Sequence, residues 1–244
     1  MKQGIFTVRE NRALNARYNL LALEGDSTGF TAPGQFADIL VPGFYLRRPF
    51  AVCDWEDDFF TLVYECVGNG TRRLKTLGAG TELDVLTGLG NGYTLEGAGE
   101  SPLLVGGGCG VGSLYGLAKQ MLRQGLSPRV ILGFPRREEI TLLEDYIALG
   151  LRPTVTTADG SFGVRGLVTD AMDIPHSSVY ACGPEPMLRA VALMSPAGGQ
   201  LSFDARMGCG FGACMGCTRQ TVNGPRRVCK DGPVFRKEEI LWED

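Results

Sequence analysis

The chain has a single histidine among its 244 residues, and that one, His176, follows Pro175 in a loop-like stretch where no catalytic role falls to it. Its N-terminus, MKQGIFTVRE, lacks the apolar run of an export signal, so no signal peptide is expected. A net charge of only −3 gives neither nucleic acid nor an anionic membrane a reason to bind. One uncharged run, residues 101–118, has the length of a membrane span, but six of its eighteen residues are glycine and it lies between a strand pattern and a helix pattern. Internal repeats and low-complexity tracts are also missing. What remains is an ordinary hydrophobic content of 44% in a chain long enough for one or two domains and an appendage.

Two residue types stand out. The 35 glycines are about twice the usual share of roughly 7%, which points to many turns of special backbone geometry, as cofactor loops require. The eight cysteines, in a chain without an export signal, suggest metal ligation in a reducing cytoplasm. Four of them form a pattern: Cys209, Cys214 and Cys217 are spaced C-x4-C-x2-C, and Cys229 follows after eleven residues. The first three match the plant-type ferredoxin spacing for a [2Fe–2S] cluster, and glycines at 208, 210, 212 and 216 free backbone N–H groups to point at its sulfurs. A four-cysteine zinc site, normally two short knuckles, fits the x4 gap poorly, and a disulfide framework needs an oxidising compartment. Cys53, Cys66 and Cys109 show no ligand spacing and read as small apolar residues.

Residues 1–98 read as short strands separated by Gly and Pro turns: around Ile5–Arg9, Tyr18–Ala22, Phe36–Val41 and Phe59–Val67. That spacing predicts a small antiparallel barrel. From Pro102 the texture changes to strands alternating with helices, which implies a parallel sheet. Strands are expected at LLVGGG, Arg129–Phe134, Pro153–Thr157 and Ser178–Cys182. Helices are expected at Val111–Gln124, Glu138–Leu149, Gly166–Met172 and Glu185–Met194. Ser195–Gly199 reads as a hinge to the cysteine-rich tail. The domains expected are therefore a barrel over 1–98, an α/β nucleotide-binding domain over 99–198 and a cluster-binding segment over 199–244.

Arg47-Arg48-Pro49-Phe50-Ala51 in the barrel, with Gly68-Asn69-Gly70-Thr71 before a helical stretch, can form a pyrophosphate clamp of charged fork, backbone donors and hydroxyl. A surface arginine beside an ordinary capped turn is the plainer alternative. The loop Gly106-Gly107-Gly108-Cys109-Gly110-Val111-Gly112 lies where parallel-sheet proteins bind phosphate-bearing ligands, yet the G-x-G-x-x-G register is not met. After the second parallel strand stands Pro135-Arg136-Arg137 rather than an acid; the arginines suit a 2′-phosphate or a solvated basic turn. Cys182-Gly183-Pro184-Glu185-Pro186-Met187 ends the last expected parallel strand, and a small soft side chain there can sit against a nicotinamide ring or be a buried structural cysteine.

Taken in order, R-P-F-A, G-x-G-T, L-G-N-G-Y, V-G-G-G-x-G, D-G-S-x-G, C-G-P-x-P-M and the cysteine tail ending V-C-K-D-G-P-V-F run over nearly the whole chain. This series resembles the electron-transfer subunits of type B dihydroorotate dehydrogenase, within the ferredoxin–NAD(P) reductase superfamily. The resemblance implies FAD in the barrel, NAD+ as co-substrate on the parallel sheet, and a [2Fe–2S] cluster on Cys209, Cys214, Cys217 and Cys229. It places Arg48, Pro49, Phe50 and Ala51 at the flavin and its diphosphate, Val63, Tyr64 and Glu65 along the cofactor, and Gly70 and Thr71 at the pyrophosphate. Gly107, Gly108 and Gly110, with Cys182, Gly183 and Met187, would border the nicotinamide. Two positions depart from the family pattern: Ala51 stands where Ser is common, and Glu65 where Arg is. The implied function is electron transfer from an FMN-containing catalytic subunit through the cluster and FAD to NAD+, in pyrimidine biosynthesis, within a heterotetramer of two subunits of each kind. No acid or base for dihydroorotate itself is expected in this chain. The alternatives are the small subunit of an NAD(P)H–ferredoxin or sulfide-type oxidoreductase and, in a different class, a zinc-stabilised interaction module.

Overall fold

The structure is a computed structural model and describes residues 1–242; the last two residues of the 199–244 segment lie outside the described residues. The N-terminal part is built on β1 (Lys2–Ala13), β2 (Tyr18–Glu24), β3 (Phe36–Leu40), β4 (Arg48–Ala51), β5 (Asp54–Trp55), β6 (Phe59–Glu65) and β7 (Glu82–Leu89), with helix α1 (Asn69–Lys75) between the last two. Among the described residues these strands make one seven-stranded antiparallel sheet in the order β4-β3-β7-β1-β2-β6-β5. Alternation sets its faces. On β3, Ala37 and Ile39 are fully buried with Phe6, Leu21, Leu23, Phe60, Leu62 and Val85 in a core that the curled sheet encloses. The antiparallel barrel expected from the strand spacing is therefore present. β7, which is not among the strands expected from the sequence, lies inside it between β1 and β3.

The second sheet takes β8 (Leu103–Gly107), β9 (Arg129–Phe134), β10 (Thr154–Thr157), β11 (Val164–Arg165), β12 (Val179–Cys182) and β13 (Gly199–Ser202). A hairpin, β14 (Thr218–Thr221) and β15 (Gly224–Arg227), precedes the final strand β16 (Val234–Arg236). The order is β11-β10-β9-β8-β12-β13-β16, parallel throughout except for β16, which runs antiparallel to β13. The direction of winding reverses between β8 and β12, so their carboxyl ends flank a crevice. Helices α2 (Gly110–Arg123) and α4 (Glu185–Met194) match the expected helices to within one residue at each end. The helix expected over 138–149 is broken instead. A 3-10 turn covers Arg137–Glu139, Leu142 takes φ 58°, and only α3 (Leu143–Ala148) is α-helical. The apolar periodicity continues across the break because Thr141 and Leu142 are themselves buried. Gly166–Met172 likewise contains only a 3-10 turn, Val168–Ala171.

One apolar cluster joins the two sheets: Tyr18, Cys53 and Val63 from the barrel pack with Leu104, Val111, Leu114 and Tyr180. A second holds Phe36 and Leu86 of the barrel together with Phe203, Cys217, Val228, Cys229 and Phe235. Barrel, sheet and cysteine segment are thus held by shared burial, the dominant favourable term in folding.

Candidate cofactor cleft and cysteine site

A cleft of about 600 Å³ runs between the barrel and the carboxyl ends of β8 and β12, within the usual size of ligand sites. Its barrel wall carries Arg48, Pro49, Phe50, Ala51, Val63, Tyr64, Glu65 and Thr71; its sheet wall carries Gly107, Gly108, Gly110, Cys182 and Gly183. Motifs far apart in sequence are therefore brought to one space. Gly70 and Met187 support the lining from behind. A Cβ on Gly70 would lie 2.7 Å from the Arg48 Nε, and the Met187 sulfur packs where a Cβ on Gly107 would be.

At the barrel end the cleft is polar. Arg48 Nη1 donates to the carbonyls of Leu46 (2.7 Å) and Arg47 (3.1 Å), which fixes its guanidinium beside Gly70. Gly68, at the N-cap of helix α1, has no side chain to cap it, so first-turn N–H groups are left for another acceptor. Arginine and uncapped helix start together suit a diphosphate. The middle of the cleft is walled by Phe50, Tyr64 and Val63; Tyr64 Oη donates to Asn11 Oδ1 (2.8 Å), which leaves the ring as an apolar surface. The residues present therefore fit a flavin nucleotide. Glu65, in the position where an arginine is common in the family, pairs with Arg17 (2.9 Å), and Arg17 itself lines the cleft. A guanidinium is thus supplied to the same stretch from the turn before β2.

At the sheet end Gly110 decides the geometry. A Cβ there would meet the Cys182 carbonyl oxygen at 2.1 Å, so the start of α2 touches the end of β12 backbone to backbone. Burial pushes the Cys182 thiol above its ordinary pKa, while the Ser113 and Ser202 hydroxyls pull the other way. A neutral, small sulfur is what a stacked ring tolerates, and it is not a nucleophile. Beside the cleft, Arg136 is held by Glu139 (3.1 Å), Glu139 also pairs with Arg17 (2.7 Å), and Arg137 lies over the Phe162 ring (5.6 Å). Both arginines after β9 thus have intramolecular partners.

Sequence reasoning missed other lining residues: Tyr18, Phe36, Phe203, Asp204 and Met207. Phe203 and Asp204 follow β13 and so obey the strand-end rule that drew attention to Cys182. The signal is present, but by composition Gly199–Ser202 reads as hinge and tail rather than strand.

The four patterned cysteines come together as two pairs. The Cys214 N–H donates to Cys209 Sγ (3.4 Å), and the Cys229 N–H donates to Cys217 Sγ (3.4 Å). The eleven residues between Cys217 and Cys229 are used by the β14–β15 hairpin, which returns the chain so that the Cys229 N–H donates to Cys217 Sγ (3.4 Å). Arg227 clamps this return, bidentate to Asp231 and donating from Nη1 to the Gly212 carbonyl (2.9 Å). Burial opposes ionisation of Cys209, yet the N–H groups of Cys214, Phe211 and Ala213 hold its pKa down to about 6. Cys229 is pushed up to about 12 by burial, by its hydrogen bond with Cys217, and by the charges of Cys217 and Cys209. Sulfurs gathered in this segment and wrapped in N–H donors suit cations among them. Among the described residues no three His, Cys, Asp or Glu side chains converge on one ion position. Two thiolate pairs fit two irons better than they fit one zinc.

Comparison with known proteins gives the same reading. Residues 204–241 match the sequence profile described as the iron-sulfur cluster binding domain of dihydroorotate dehydrogenase B. The chain is 39% identical to the dihydroorotate dehydrogenase B (NAD(+)) electron transfer subunit of Geobacillus sp. (strain WCH70), covering 99% of both chains. It is 40% identical to that of Bacillus caldolyticus, covering 96% of this chain and 97% of the relative. Among solved structures it is similar to the NADH-dependent reduced ferredoxin-NADP oxidoreductase studied for flavin-based electron bifurcation: TM-score 0.89, 26% identity, 98% of this chain and 90% of that one. Full-length identity of this order, over a fold whose cleft and cysteine pairs are in place, makes this chain a member of the dihydroorotate dehydrogenase B electron transfer subunit family.

Proposed function

We propose that the chain carries electrons from a separate FMN-containing, dihydroorotate-oxidising subunit to NAD+, with FAD in the cleft and a [2Fe–2S] cluster on the cysteine pairs. The observation that carries this reading is the shared core: Phe36, Phe203, Cys217 and Cys229 belong to one apolar cluster, and the first two also line the cleft. Flavin, when bound, supplies the exchange between the two-electron chemistry of nicotinamide and the one-electron chemistry of a cluster. The chain's residues bind and orient. Arg48, Gly70 and Thr71 hold the diphosphate; Pro49, Phe50, Ala51, Val63, Tyr64 and Glu65 form the wall along the cofactor. Gly107, Gly108, Gly110, Cys182, Gly183 and Met187 form the nicotinamide floor, and Cys209, Cys214, Cys217 and Cys229 ligate the irons. The expected regions, 1–98, 99–198 and 199–244, are proposed to divide these tasks. The likeness to the ferredoxin-NADP oxidoreductase favours a ferredoxin-type partner as second reading, at 26% identity against 39–40% for the first.

The test is reconstitution. Purified anaerobically with its FMN-type partner, the chain is expected to support NADH formation from dihydroorotate and NAD+. Alone, it is expected to oxidise NADH with artificial acceptors and leave dihydroorotate untouched. Dihydroorotate turnover by the chain alone, or no coupling with flavin and cluster both bound, refutes the reading. The 2+2 assembly is proposed with it, to be checked by the mass of the active complex. So is a cytoplasmic location; no described helix is long and apolar enough to cross a membrane.

Arg48→Ala tests the diphosphate end. Charge-assisted hydrogen bonds contribute about 1.5–3 kcal/mol, so flavin affinity is expected to fall roughly 10- to 100-fold. Fluorescence titration of the flavin-stripped protein measures it, and parental affinity would remove Arg48 from the site.

A further inference from the structure

The outer face of β3 holds a carboxylate that the cofactor cleft does not use. Ala37 and Ile39 enter the barrel core, so Phe36 and Asp38 point the other way, under the cysteine segment. Asp38 is 2% exposed, and its Oδ1 has no hydrogen-bond partner. Its Oδ2 rests on Gly210, the residue after Cys209; a Cβ on Gly210, which takes φ +75°, would lie 2.3 Å from that oxygen. Across the ladder Asp38 pairs with Pro49 of the strand that lines the cleft. The carboxylate thus stands between the cleft and the first cysteine of the cluster motif.

The neighbouring cations do not neutralise it by contact. Arg47 Nη2 donates to the Asp84 carboxylate (2.8 Å), and Nη1 donates to the Asp84 carbonyl (2.8 Å) and to the Asp38 backbone carbonyl (3.4 Å). Arg48 Nη1 is taken by the Leu46 and Arg47 carbonyls. Among the described residues Asp38 makes no ion pair closer than 4.0 Å. A buried carboxyl without partners is costly, and a barrel strand could carry an apolar residue at this position instead.

We propose that Asp38 sets the reduction potential of the cluster: its fixed negative charge, buried against the Cys209 loop, disfavours an added electron there and makes the reduced cluster a stronger donor toward the cleft. This rests on the reading that the four cysteines hold a [2Fe–2S] cluster. No bond forms or breaks in the proposed role; one electron enters and leaves the cluster. Charges act strongly at such a site because little water screens them.

The experiment is a redox titration of the reconstituted complex at pH 8, followed by EPR for the cluster and by absorbance for the flavin. Asp38→Asn keeps the shape and removes the charge; Asp38→Ser removes both. Each is expected to shift the cluster's reduction equilibrium about tenfold toward the reduced form, which is about 59 mV for one electron, with a smaller change at the flavin. Parental iron and sulfide content with less than a twofold change in that equilibrium would overturn the proposal. A larger shift at the flavin than at the cluster would overturn it too. If neither neutral variant assembles a cluster, the carboxylate is a structural acceptor and the tuning role is wrong. Absence of iron and labile sulfide from the parental protein would instead overturn the cluster reading itself.

Discussion

Cys217→Ser is expected to leave a flavoprotein that still oxidises NADH with dye acceptors but delivers on the order of 100-fold fewer electrons from dihydroorotate to NAD+. Cys217 is 6% exposed, and its sulfur accepts the Cys229 N–H (3.4 Å). A serine there is a poor iron ligand, and its shorter side chain leaves Cys229 without its partner. The damage is confined because Val228, Phe203 and Phe235 continue to pack around the site. Iron and sulfide analysis should show cluster loss, with flavin content near one per chain. Full coupled activity in a cluster-free variant would mean that electrons bypass the cysteines altogether.

Gly110→Ala carries the second large effect, and it is steric. The new methyl would lie 2.1 Å from the Cys182 carbonyl oxygen and 2.4 Å from its carbon. Neither side can yield easily: Cys182 is paired with Gly106 on one flank and Ser202 on the other, and α2 is locked by Val111, Leu114 and Leu117 in the core. Alanine's better helix propensity returns about 1 kcal/mol. The overpacking costs about 3 kcal/mol or more, so the balance is destabilising. A loss of about 2 kcal/mol lowers the melting temperature by roughly 4–8 °C in a chain of this size. The KM for NADH should rise as well, because the displaced β12 end carries the proposed nicotinamide floor. A parental melting curve with parental KM would show that the contact relaxes without consequence.

What the sequence made legible was local and periodic. The cysteine spacing, the glycine-rich strand ends and helices such as Glu185–Met194 are patterns that one stretch of chain carries by itself. What it hid depends on partners elsewhere. Leu142 continues an apolar rhythm yet takes a left-handed turn, because burial rather than helix satisfies it. Gly199–Ser202 looks like a hinge by composition and becomes a strand because β12 and β16 stand on either side. Asp38 looks like an ordinary polar break in a strand; only the segment folded over it gives it a role. The departure at Glu65 is similar, since its Arg17 partner lies across the β2–β6 ladder.

The antiparallel pairing of β13 with β16 has an architectural consequence. The residues holding the cysteines leave the sheet after β13 and re-enter on the adjacent strand, and the Phe203 N–H donates to the Pro233 carbonyl (3.0 Å) where they part. Such neighbours could be joined by a two-residue turn. The whole metal-binding stretch is thus an inset sewn shut at its base rather than a tethered domain on a linker. It has no arm on which to swing, so the spacing of its redox groups is fixed by masonry, and only the arrival of an outside donor is left to diffusion.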